Sequence, residues 1–419
     1  MVHDGAVDST KILAIVQAGG AGGRMDVLTL ERAKPALPFG GSYQLLDFPL
    51  SNLVNSGIDD VWLSVQYQAS ALQDQVRNGR PWDLDRTGGG LRLLIPQQGT
   101  GSLDEEGFAH GNADELYRLR DDIRGSGADL VLVMSADHVY RLDFRDLVDT
   151  HRAKDAEVTL VVTDLDGVYA EDPGDHAVVE VNRLGRVTSF AYKPDQPASS
   201  TVATEVFLYR PDVLVEMLEK LHHELSDEPH EGDDDIGDTG LGDFGDLLLP
   251  RFLDRGKVYA HRLDGYWRDL GQPHHYLNAH LELVNGEAGL FDRAWPIRTQ
   301  QPQREPAYVV KSARFEDSLL SAGSRVAGTV VRSVIGPGVV VEEGAEVVES
   351  VLLGDTVVRS GARVTRSIVD TGCELLDGAV VGDADVALDD ADAIPIVGRD
   401  STVGSALPAG SRLAPGTTA

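Results

Sequence analysis

Short apolar runs alternate with amphipathic stretches along about the first 285 residues of the chain. The apolar runs have the length of buried strands, and the stretches between them carry helical spacing. This alternation predicts an α/β fold with a mostly parallel, Rossmann-like sheet. The predicted strands are Ile12–Val16, Val61–Val65, Leu91–Ile95, Leu130–Met134, Val158–Val162, Ala177–Val181 and Thr204–Tyr209. The predicted helices include Pro49–Ser56, Ala113–Arg124 and Asp143–Lys154.

A different repeat follows after about residue 308. Ile335, Val341, Val347 and Leu353 recur every six residues, with Gly338 and Gly344 between the first three. After a slip in phase, the spacing continues at Val358, Val364, Cys373, Leu375, Ala379 and Val381. A six-residue period with small residues at the corners is typical of a parallel β-helix. The alternative, a β-sandwich, would show a period of two interrupted by longer turns.

The two patterns divide the chain of 419 residues, which is too long for one ordinary domain. We predict an α/β domain over residues 11–285 and a β-helix over residues 309–415. Residues 286–308 carry several prolines and are predicted to form a linker.

Composition narrows the possible partners. The net charge is −31, and so acidic a surface would repel the phosphates of nucleic acid. No apolar stretch approaches the 18 residues of a membrane span, and residues 1–11 lack the order of a signal peptide. The single cysteine, Cys373, has no partner for an intramolecular disulfide. We therefore expect a cytoplasmic protein without nucleic-acid or membrane partners.

A glycine-rich loop follows the first predicted strand and gives the first chemical signal. Gly19, Gly20, Gly22 and Gly23 are followed by Arg24, and Lys34 lies ten residues further on. Glycine lets the backbone approach a ligand closely, and bare N–H groups beside a cation can hold phosphates. The loop matches neither the dinucleotide fingerprint nor the Walker loop. By itself it is compatible with a phosphate site or with an ordinary turn.

A second signal lies after the strand Leu130–Met134, in Ser135-Ala-Asp-His138. Ligands of α/β sheets bind beyond the carboxyl ends of the strands, where both this segment and the glycine loop fall. Asp137 follows this apolar strand, a position where aspartate commonly serves as a helix N-cap.

Taken together, these segments resemble the sugar-nucleotide pyrophosphorylases, and more narrowly the bacterial ADP-glucose pyrophosphorylase (glucose-1-phosphate adenylyltransferase) family. The resemblance runs in order from about residue 11 to at least 382, so it is more specific than any single motif. Its segments are residues 19–25, Arg32-Ala-Lys-Pro-Ala36, Leu46-Asp-Phe-Pro-Leu-Ser-Asn52, Pro96-Gln-Gln98, Gly111-Asn-Ala-Asp114, Ala136-Asp-His-Val-Tyr140, Phe190-Ala-Tyr-Lys-Pro194, Asp243-Phe-Gly-Asp-Leu-Leu-Leu-Pro250, Tyr266-Trp-Arg-Asp-Leu-Gly271 and Trp295-Pro-Ile-Arg-Thr299.

The resemblance implies a nucleotidyltransferase domain followed by a left-handed β-helix, often in a homotetramer. It implies formation of ADP-glucose and pyrophosphate from ATP and glucose 1-phosphate with Mg²⁺, for glycogen or related α-glucan synthesis. The implied catalytic residues are Arg24, Lys34 and Asp137. The implied metal ligands are Asp137 and Asp269. The implied nucleotide-binding residues are Ala18, Gly19, Gly20, Gly22, Gly23, Gln98, Gly111, Asn112 and Asp114. The implied sugar-phosphate-binding positions are Ala109, Ala177, Tyr192, Lys193 and Thr204.

The sequence departs from the family pattern mainly on the sugar side. Tyr192 stands where the family usually has a glutamate that contacts sugar hydroxyls, and Ala109 stands for a tyrosine that contacts the sugar phosphate. Ala177 and Thr204 fall near a family glycine and a family serine, and Asn112 replaces a threonine. Two alternatives therefore stay open: an enzyme for another sugar 1-phosphate or nucleoside triphosphate, and a catalytically silent regulatory subunit.

The effector region is also altered. Glu31 aligns with the activator-binding lysine of regulated members, and Gln44 aligns with an arginine. Loss of these cations should weaken binding of phosphorylated effectors, so we expect little activation by fructose 1,6-bisphosphate.

Overall fold

The computed structural model describes residues 10–19, 22–95, 109, 111–165, 171–226, 241–301 and 303–419. Two of the predicted nucleotide-binding residues, Gly20 and Gln98, lie outside the described residues. None of the helices in the described ranges is both long and apolar enough to cross a membrane.

Within the described residues, a nine-stranded sheet forms the centre of the first domain. Its strands are β1 (Ile12–Ala18), β4 (Asp60–Val65), β5 (Gly90–Leu94), β6 (Leu130–Ser135), β8 (Val158–Asp164), β9 (Ala177–Val181), β10 (Val187–Tyr192), β11 (Thr201–Tyr209) and β12 (Val258–Arg262). They lie in the order β10-β9-β11-β6-β1-β4-β5, with β8 between β11 and β12. Two small sheets pair β2 (Pro38–Phe39) with β3 (Tyr43–Gln44), and β7 (His138–Tyr140) with β13 (Trp267–Asp269).

Helices cover both faces of this sheet. They are α1 (Asp47–Asn55), α2 (Ala69–Val76), α3 (Asn112–Arg118), α4 (Arg120–Ser126), α5 (Phe144–Ala153), α6 (Pro211–Ser226), α7 (Leu249–Arg255) and α8 (Pro273–Val284). Along β1, Ala14 and Val16 pack into one core, and Leu13 and Ile15 pack into the core on the opposite face. Because both faces are buried, the strand is apolar from Ile12 to Val16, as expected for the parallel part of a sheet.

The sheet is mixed and mostly parallel, which confirms the predicted fold class. β1 runs parallel to β4 and β6, and β4 runs parallel to β5. β11 runs antiparallel to β6, β8 and β9. The single predicted helix Ala113–Arg124 is divided at Leu119 into α3 and α4. The strands β10 and β12 were not predicted from the sequence.

The second domain consists of three six-stranded parallel sheets, the arrangement of the predicted left-handed β-helix. The first sheet contains β14 (Tyr308–Val309), β17 (Arg325–Val326), β20 (Val340–Val341), β23 (Val357–Val358), β26 (Glu374–Leu375) and β29 (Thr402–Val403). The second contains β15 (Arg314–Glu316), β18 (Thr329–Val331), β21 (Glu346–Val348), β24 (Arg363–Thr365), β27 (Val380–Val381) and β30 (Ala406–Leu407). The third contains β16 (Leu319–Leu320), β19 (Val334–Ile335), β22 (Val351–Leu352), β25 (Ile368–Val369), β28 (Ile396–Val397) and β31 (Arg412–Leu413).

The two domains share one hydrophobic cluster. Met25 and Leu28 of the first domain pack in the same cluster as Val351, Ile368 and Ile396 of the β-helix. The segment that connects the domains is also anchored. The indole Nε1 of Trp295 donates to Asn52 Oδ1 at 2.8 Å, and the backbone N–H of Arg298 donates to Ser51 Oγ at 2.8 Å. The β-helix is thus packed directly against the first domain.

Asp47, at the start of α1, is a fully buried acid. Its carboxylate accepts the Gln44 backbone N–H at 2.8 Å and the Gln75 side-chain amide at 3.3 Å. Burial raises the pKa of Asp47 to about 7, although hydrogen bonds from Thr299, Gln44 and Gln75 partly oppose the shift. The native protein therefore holds a proton on this side chain that the unfolded chain releases near pH 4.

Because the native state binds the extra proton, this carboxyl makes the free energy of unfolding fall as the pH rises from about 4 to 7. We predict that Asp47→Asn makes the slope in this window more positive by up to about 1.4 kcal/mol per pH unit. Denaturant titrations at several pH values measure the slope. The exposed Asp74, changed to Asn, is the control, and equal slopes in the wild type and Asp47→Asn would contradict the prediction.

Candidate active site

A cavity of about 490 Å³ opens at the carboxyl ends of β1 and β6. Its lining comes from both sides of the sheet edge and is mostly polar. The lining residues are Gln17, Ala18, Gly19, Arg24, Lys34, Pro35, Gln66, Tyr67, Ala109, Gly111, Asn112, Glu115, Ser135, Asp137, His138, Tyr192, Lys193, Glu205, Asp243, Phe244 and Asp269.

The small β7/β13 sheet brings together two acids that are far apart in the sequence. Asp137 immediately precedes β7, and Asp269 ends β13. The antiparallel register places Asp269 opposite His138, so Asp137 and Asp269 lie at the same end of this sheet. β13 is fixed by the buried Arg268, whose guanidinium pairs with Glu171 at 2.9 Å. Backbone pairing therefore sets the separation of the two acids.

Lys34 joins these acids electrostatically. Its Nζ lies 2.6 Å from Asp137 Oδ2 and 3.3 Å from Asp269 Oδ1. Burial alone would lower the pKa of Lys34, but the two carboxylates outweigh burial and raise it. Burial would likewise raise the pKa of each aspartate, but Lys34 and His138, joined at Asp269 by His176 and Arg24, together outweigh burial, so both pKa values are lowered. All three groups are consequently charged at neutral pH.

His138 lies beside the same acids. Its Nδ1 is 3.1 Å from the Thr204 carbonyl oxygen, and its Nε2 is 3.6 Å from both Asp137 Oδ1 and Asp269 Oδ1. Because carbonyl oxygens only accept, Nδ1 must donate this hydrogen bond. Burial lowers the pKa of His138, but the carboxylates of Asp269, Asp137 and Glu205 outweigh burial, and the pKa is raised.

The segment from Gly22 to Lys34 presents the basic groups to the cavity. Gly22 has a φ of 66°, and a Cβ there would lie 3.2 Å from Lys34 Cβ. Only glycine adopts this left-handed conformation without strain. The Thr29 hydroxyl donates to the Gly22 carbonyl at 2.8 Å and closes the turn. This turn leaves Arg24 exposed at the cavity while Lys34 is buried.

The β-helix holds the same segment through ion pairs. Arg32 Nη2 lies 2.6 Å from Asp370 Oδ1, and both side chains are buried. Arg412 Nε lies 2.8 Å from Asp26 Oδ2, near the start of the segment. Because Arg32 is two residues from Lys34, the buried pair ties the position of Lys34 to the β-helix.

Gly111 and Asn112 begin α3 on one side of the cavity. A Cβ on Gly111 would lie 2.3 Å from the Gly242 carbonyl oxygen. Only a glycine at position 111 therefore leaves room for the backbone of Gly242. The Asn112 backbone N–H donates to Asp243 Oδ1 at 3.2 Å, and Asn112 Oδ1 accepts the Phe244 N–H at 2.6 Å. The asparagine that departs from the family motif therefore joins α3 to residues 243 and 244.

Tyr192 and Lys193 also line the cavity, at the end of β10. The Tyr192 hydroxyl lies 3.4 Å from Asp243 Oδ2, and its ring packs over Gly245, where a Cβ would lie 2.6 Å from Tyr192 Cγ. Lys193 has a φ of 44°, a conformation that lysine rarely adopts.

Most of the described residues that the resemblance implied lie in the cavity wall. They are Ala18, Gly19, Arg24, Lys34, Ala109, Gly111, Asn112, Asp137, Tyr192, Lys193 and Asp269. Five others do not line it. Gly22 and Gly23 lie in the turn before Arg24, and Asp114 is buried and pairs with Arg118 at 3.0 Å. Ala177 pairs with Tyr192 in the sheet, and the Thr204 hydroxyl donates to the Val161 carbonyl at 3.1 Å.

Several polar lining residues were missed by the sequence analysis. They include Gln17, Gln66, Glu115, His138, Glu205 and Asp243. Gln17 was the easiest to find, since it is a polar residue at the end of an otherwise apolar strand. Its Nε2 donates to Glu115 Oε2 at 3.0 Å. Burial raises the pKa of Glu115 to about 7, and hydrogen bonds from Ser64, Gln17 and Gln66 partly oppose this shift.

The carboxylates of this site suit a divalent cation whose remaining coordination positions are filled by a bound ligand. Asp137 and Asp269 present hard carboxylate oxygens around one point, now taken by the Lys34 ammonium. Within the described ranges, no three or more His, Cys, Asp or Glu side chains form a metal cage. Mg²⁺ binds in this way, through one or two carboxylates completed by phosphate oxygens and water.

Comparison with known proteins identifies the class and then the family. Residues 13–286 match the family model described as nucleotidyl transferase, and residues 306–394 match the GlmU-like C-terminal hexapeptide model. The first domain is therefore a nucleotidyltransferase, a class of enzymes that generally use a divalent metal ion.

Similar relatives are named glucose-1-phosphate adenylyltransferase. The one from Thermotoga neapolitana is 37% identical over 80% of this chain and 76% of its own length. The one from Bacillus thuringiensis is 32% identical over 88% of this chain and 94% of its own length. The chain belongs to the glucose-1-phosphate adenylyltransferase family.

The buried Arg32–Asp370 pair gives a test of how the domains are joined. We predict that Asp370→Asn lowers the free energy of unfolding by about 3 kcal/mol, because Arg32 stays buried without its counter-charge. Chemical denaturation measures the loss. Asp377→Asn, at an exposed position on the same β-helix, should have almost no effect. Equal stability of the two variants would show that the buried pair does not join the domains.

Proposed function

We propose that this protein is an active enzyme that forms ADP-glucose and pyrophosphate from ATP and glucose 1-phosphate, for the synthesis of glycogen or a related α-glucan. The observation that carries the proposal is the position of Lys34 Nζ, 2.6 and 3.3 Å from two acids at the mouth of a polar cavity. The names of the relatives supply the substrates.

The reaction is an in-line displacement at phosphorus. A phosphate oxygen of glucose 1-phosphate forms a bond to the α-phosphorus of ATP, the bond between the α-phosphorus and its bridging oxygen breaks, and pyrophosphate leaves. In such a reaction the protein mainly positions the two substrates and neutralises the negative charge of their phosphates. Arg24 and Lys34 are the cations that face the triphosphate, with Ala18 and Gly19 supplying backbone at the end of β1.

We assign Asp137 and Asp269 as the ligands of Mg²⁺. When bound, Mg²⁺ polarises the phosphoryl oxygens and withdraws negative charge from them. The two acids fit this ion because they offer hard oxygens and leave room for phosphate. Lys34, which pairs with both acids, has phosphate oxygens as an alternative partner once the metal ion is bound.

The remaining residues are assigned to the nucleotide or to the sugar phosphate. Gly111 and Asn112 are assigned to the nucleotide, to which the family resemblance also assigns Gly20, Gly22, Gly23, Gln98 and Asp114. Lys193, the strained cation after β10, binds the phosphate of the sugar and defines the sugar end of the cavity. The resemblance assigns Tyr192, Ala109, Ala177 and Thr204 to the sugar phosphate as well.

The proposal includes a cytoplasmic enzyme that assembles as a homo-oligomer, most simply a tetramer, and binds neither nucleic acid nor membrane. The net charge of −31 supports the absence of nucleic-acid partners, and the single, buried Cys373 supports the cytoplasm. Sedimentation of the purified protein tests the oligomeric state.

A substrate matrix of four nucleoside triphosphates with several sugar 1-phosphates tests the proposal itself. ATP with glucose 1-phosphate is expected to release pyrophosphate fastest. If only another pair releases pyrophosphate, that pair would replace ATP and glucose 1-phosphate as the assigned substrates. If no pair releases pyrophosphate, the protein would be assigned as a catalytically silent regulatory subunit.

Asp137→Asn tests the assigned metal ligand. We predict a fall in kcat of at least about 100-fold, because the variant loses a charged metal ligand at the reacting phosphate. Pyrophosphate release under saturating substrates measures it. The exposed Asp149, changed to Asn, serves as the control and should keep full activity. Comparable activity of both variants would exclude Asp137 from the metal site.

The effector region gives a further prediction. Glu31 points to the β-helix, with its Oε2 3.8 Å from Arg399 Nε, so an acid lies where a phosphorylated activator needs a cation. We predict that fructose 1,6-bisphosphate changes kcat/KM by less than the about 5-fold that marks ordinary allosteric coupling. Initial rates with and without the effector measure this, and a larger activation would refute it.

A further inference from the structure

Glu205 has a strained backbone inside a strand. Its φ is 55°, in the left-handed region that non-glycine residues rarely adopt. The strain comes from a bulge in β11. Residues 203 and 207 pair with residues 162 and 160 of β8, so residues 204–206 oppose Val161 alone. A bulge of this kind changes the direction of a side chain and is common beside functional sites.

The bulge turns the Glu205 side chain to the cavity. Glu205 is a lining residue, and 44% of its side chain is exposed. In the described part of the chain, the only basic group within 4 Å of its carboxylate is the His138 ring, 3.9 Å away. A carboxylate that is reachable from the cavity and lacks a close partner is an acceptor for a ligand's donor group.

The order of strands shows which part of a ligand it meets. The lining residues follow the sheet edge from Gln66 after β4, through Gly19 after β1 and Asp137 after β6, to Glu205 on β11. The phosphate-binding groups are those of β1 and β6. Glu205 therefore lies beyond them, on the side away from β4, together with Lys193 after β10.

We propose that Glu205 is a specificity-determining residue that accepts a hydrogen bond from a ring hydroxyl of the sugar 1-phosphate. The inference rests on the proposed function, and it names the group that recognises the sugar. A hydroxyl donating to a carboxylate forms a charge-assisted hydrogen bond, which is stronger than one between neutral groups. The protein keeps a strained glutamate because the carboxylate is used in substrate recognition.

A role for Glu205 as a third metal ligand is the alternative. Lys34 Nζ contacts Asp137 and Asp269 at 2.6 and 3.3 Å, which marks the point where their oxygens converge. Among the described ion pairs, Lys34 has none with Glu205. The carboxylate of Glu205 is thus displaced from that point and towards the sugar end.

The variants Glu205→Gly and Glu205→Gln test the assignment. Glycine suits a φ of 55°, so Glu205→Gly should melt at the same or a higher temperature than the wild type, and its kinetics cannot be attributed to unfolding. We expect KM for glucose 1-phosphate to rise about 10- to 100-fold in Glu205→Gly and less in Glu205→Gln, which keeps an acceptor. KM for ATP and the half-saturating Mg²⁺ concentration should not change. Glu180→Gln, at an exposed position on β9, is the matched control.

The 2-, 3- and 4-deoxy analogues of glucose 1-phosphate identify the ring hydroxyl. The wild type should discriminate against one analogue, and Glu205→Gly should lose that discrimination while keeping the others. A shift in Mg²⁺ dependence would assign Glu205 to the metal, and unchanged KM values would exclude any recognition role. Either outcome overturns this inference while the wild-type activity stands. An inactive wild type would instead refute the proposed function, and direct binding of glucose 1-phosphate to the wild type and Glu205→Gly would then decide the role of Glu205.

Discussion

The arrangement of the site depends on one buried ammonium group, that of Lys34. Two carboxylates this close would repel each other in a buried setting, and a lysine this buried would be costly without them. Each partner comes from a different element: the segment after β1, the turn between β6 and β7, and the end of β13. The ion pair therefore fixes the positions of three separate parts of the chain. It also keeps both acids ionised, which is the state that binds a divalent cation.

Much of this could be predicted from the sequence, because the relevant signals are local. The apolar run at Ile12 predicted β1, and the six-residue repeat from Ile335 predicted the coils of the β-helix. Gly19 and Asp137 were expected beyond the carboxyl ends of neighbouring parallel strands, and both line the cavity there because such residues meet at one sheet edge.

The remaining features depend on rotation and register, which a linear pattern does not contain. Asp114 and Glu115 are neighbours on α3, yet successive helical residues point about 100° apart. Glu115 thus reaches the cavity, whereas Asp114 points to Arg118. Glu205 was missed because its apolar surroundings predicted a regular strand. Only the pairing with β8 reveals the two extra residues that turn it inward.

The hydrophobic cluster shared by Met25, Leu28, Ile368 and Ile396 bears on how this family can diversify. Each domain contributes side chains that the other must cover, so neither half has a closed surface of its own along this seam. If β-helices were exchanged between relatives, the two interface surfaces would come from proteins in which they had evolved separately. The protein is therefore not modular at its visible domain boundary, and substitutions on the two sides of the seam are expected to be selected as pairs.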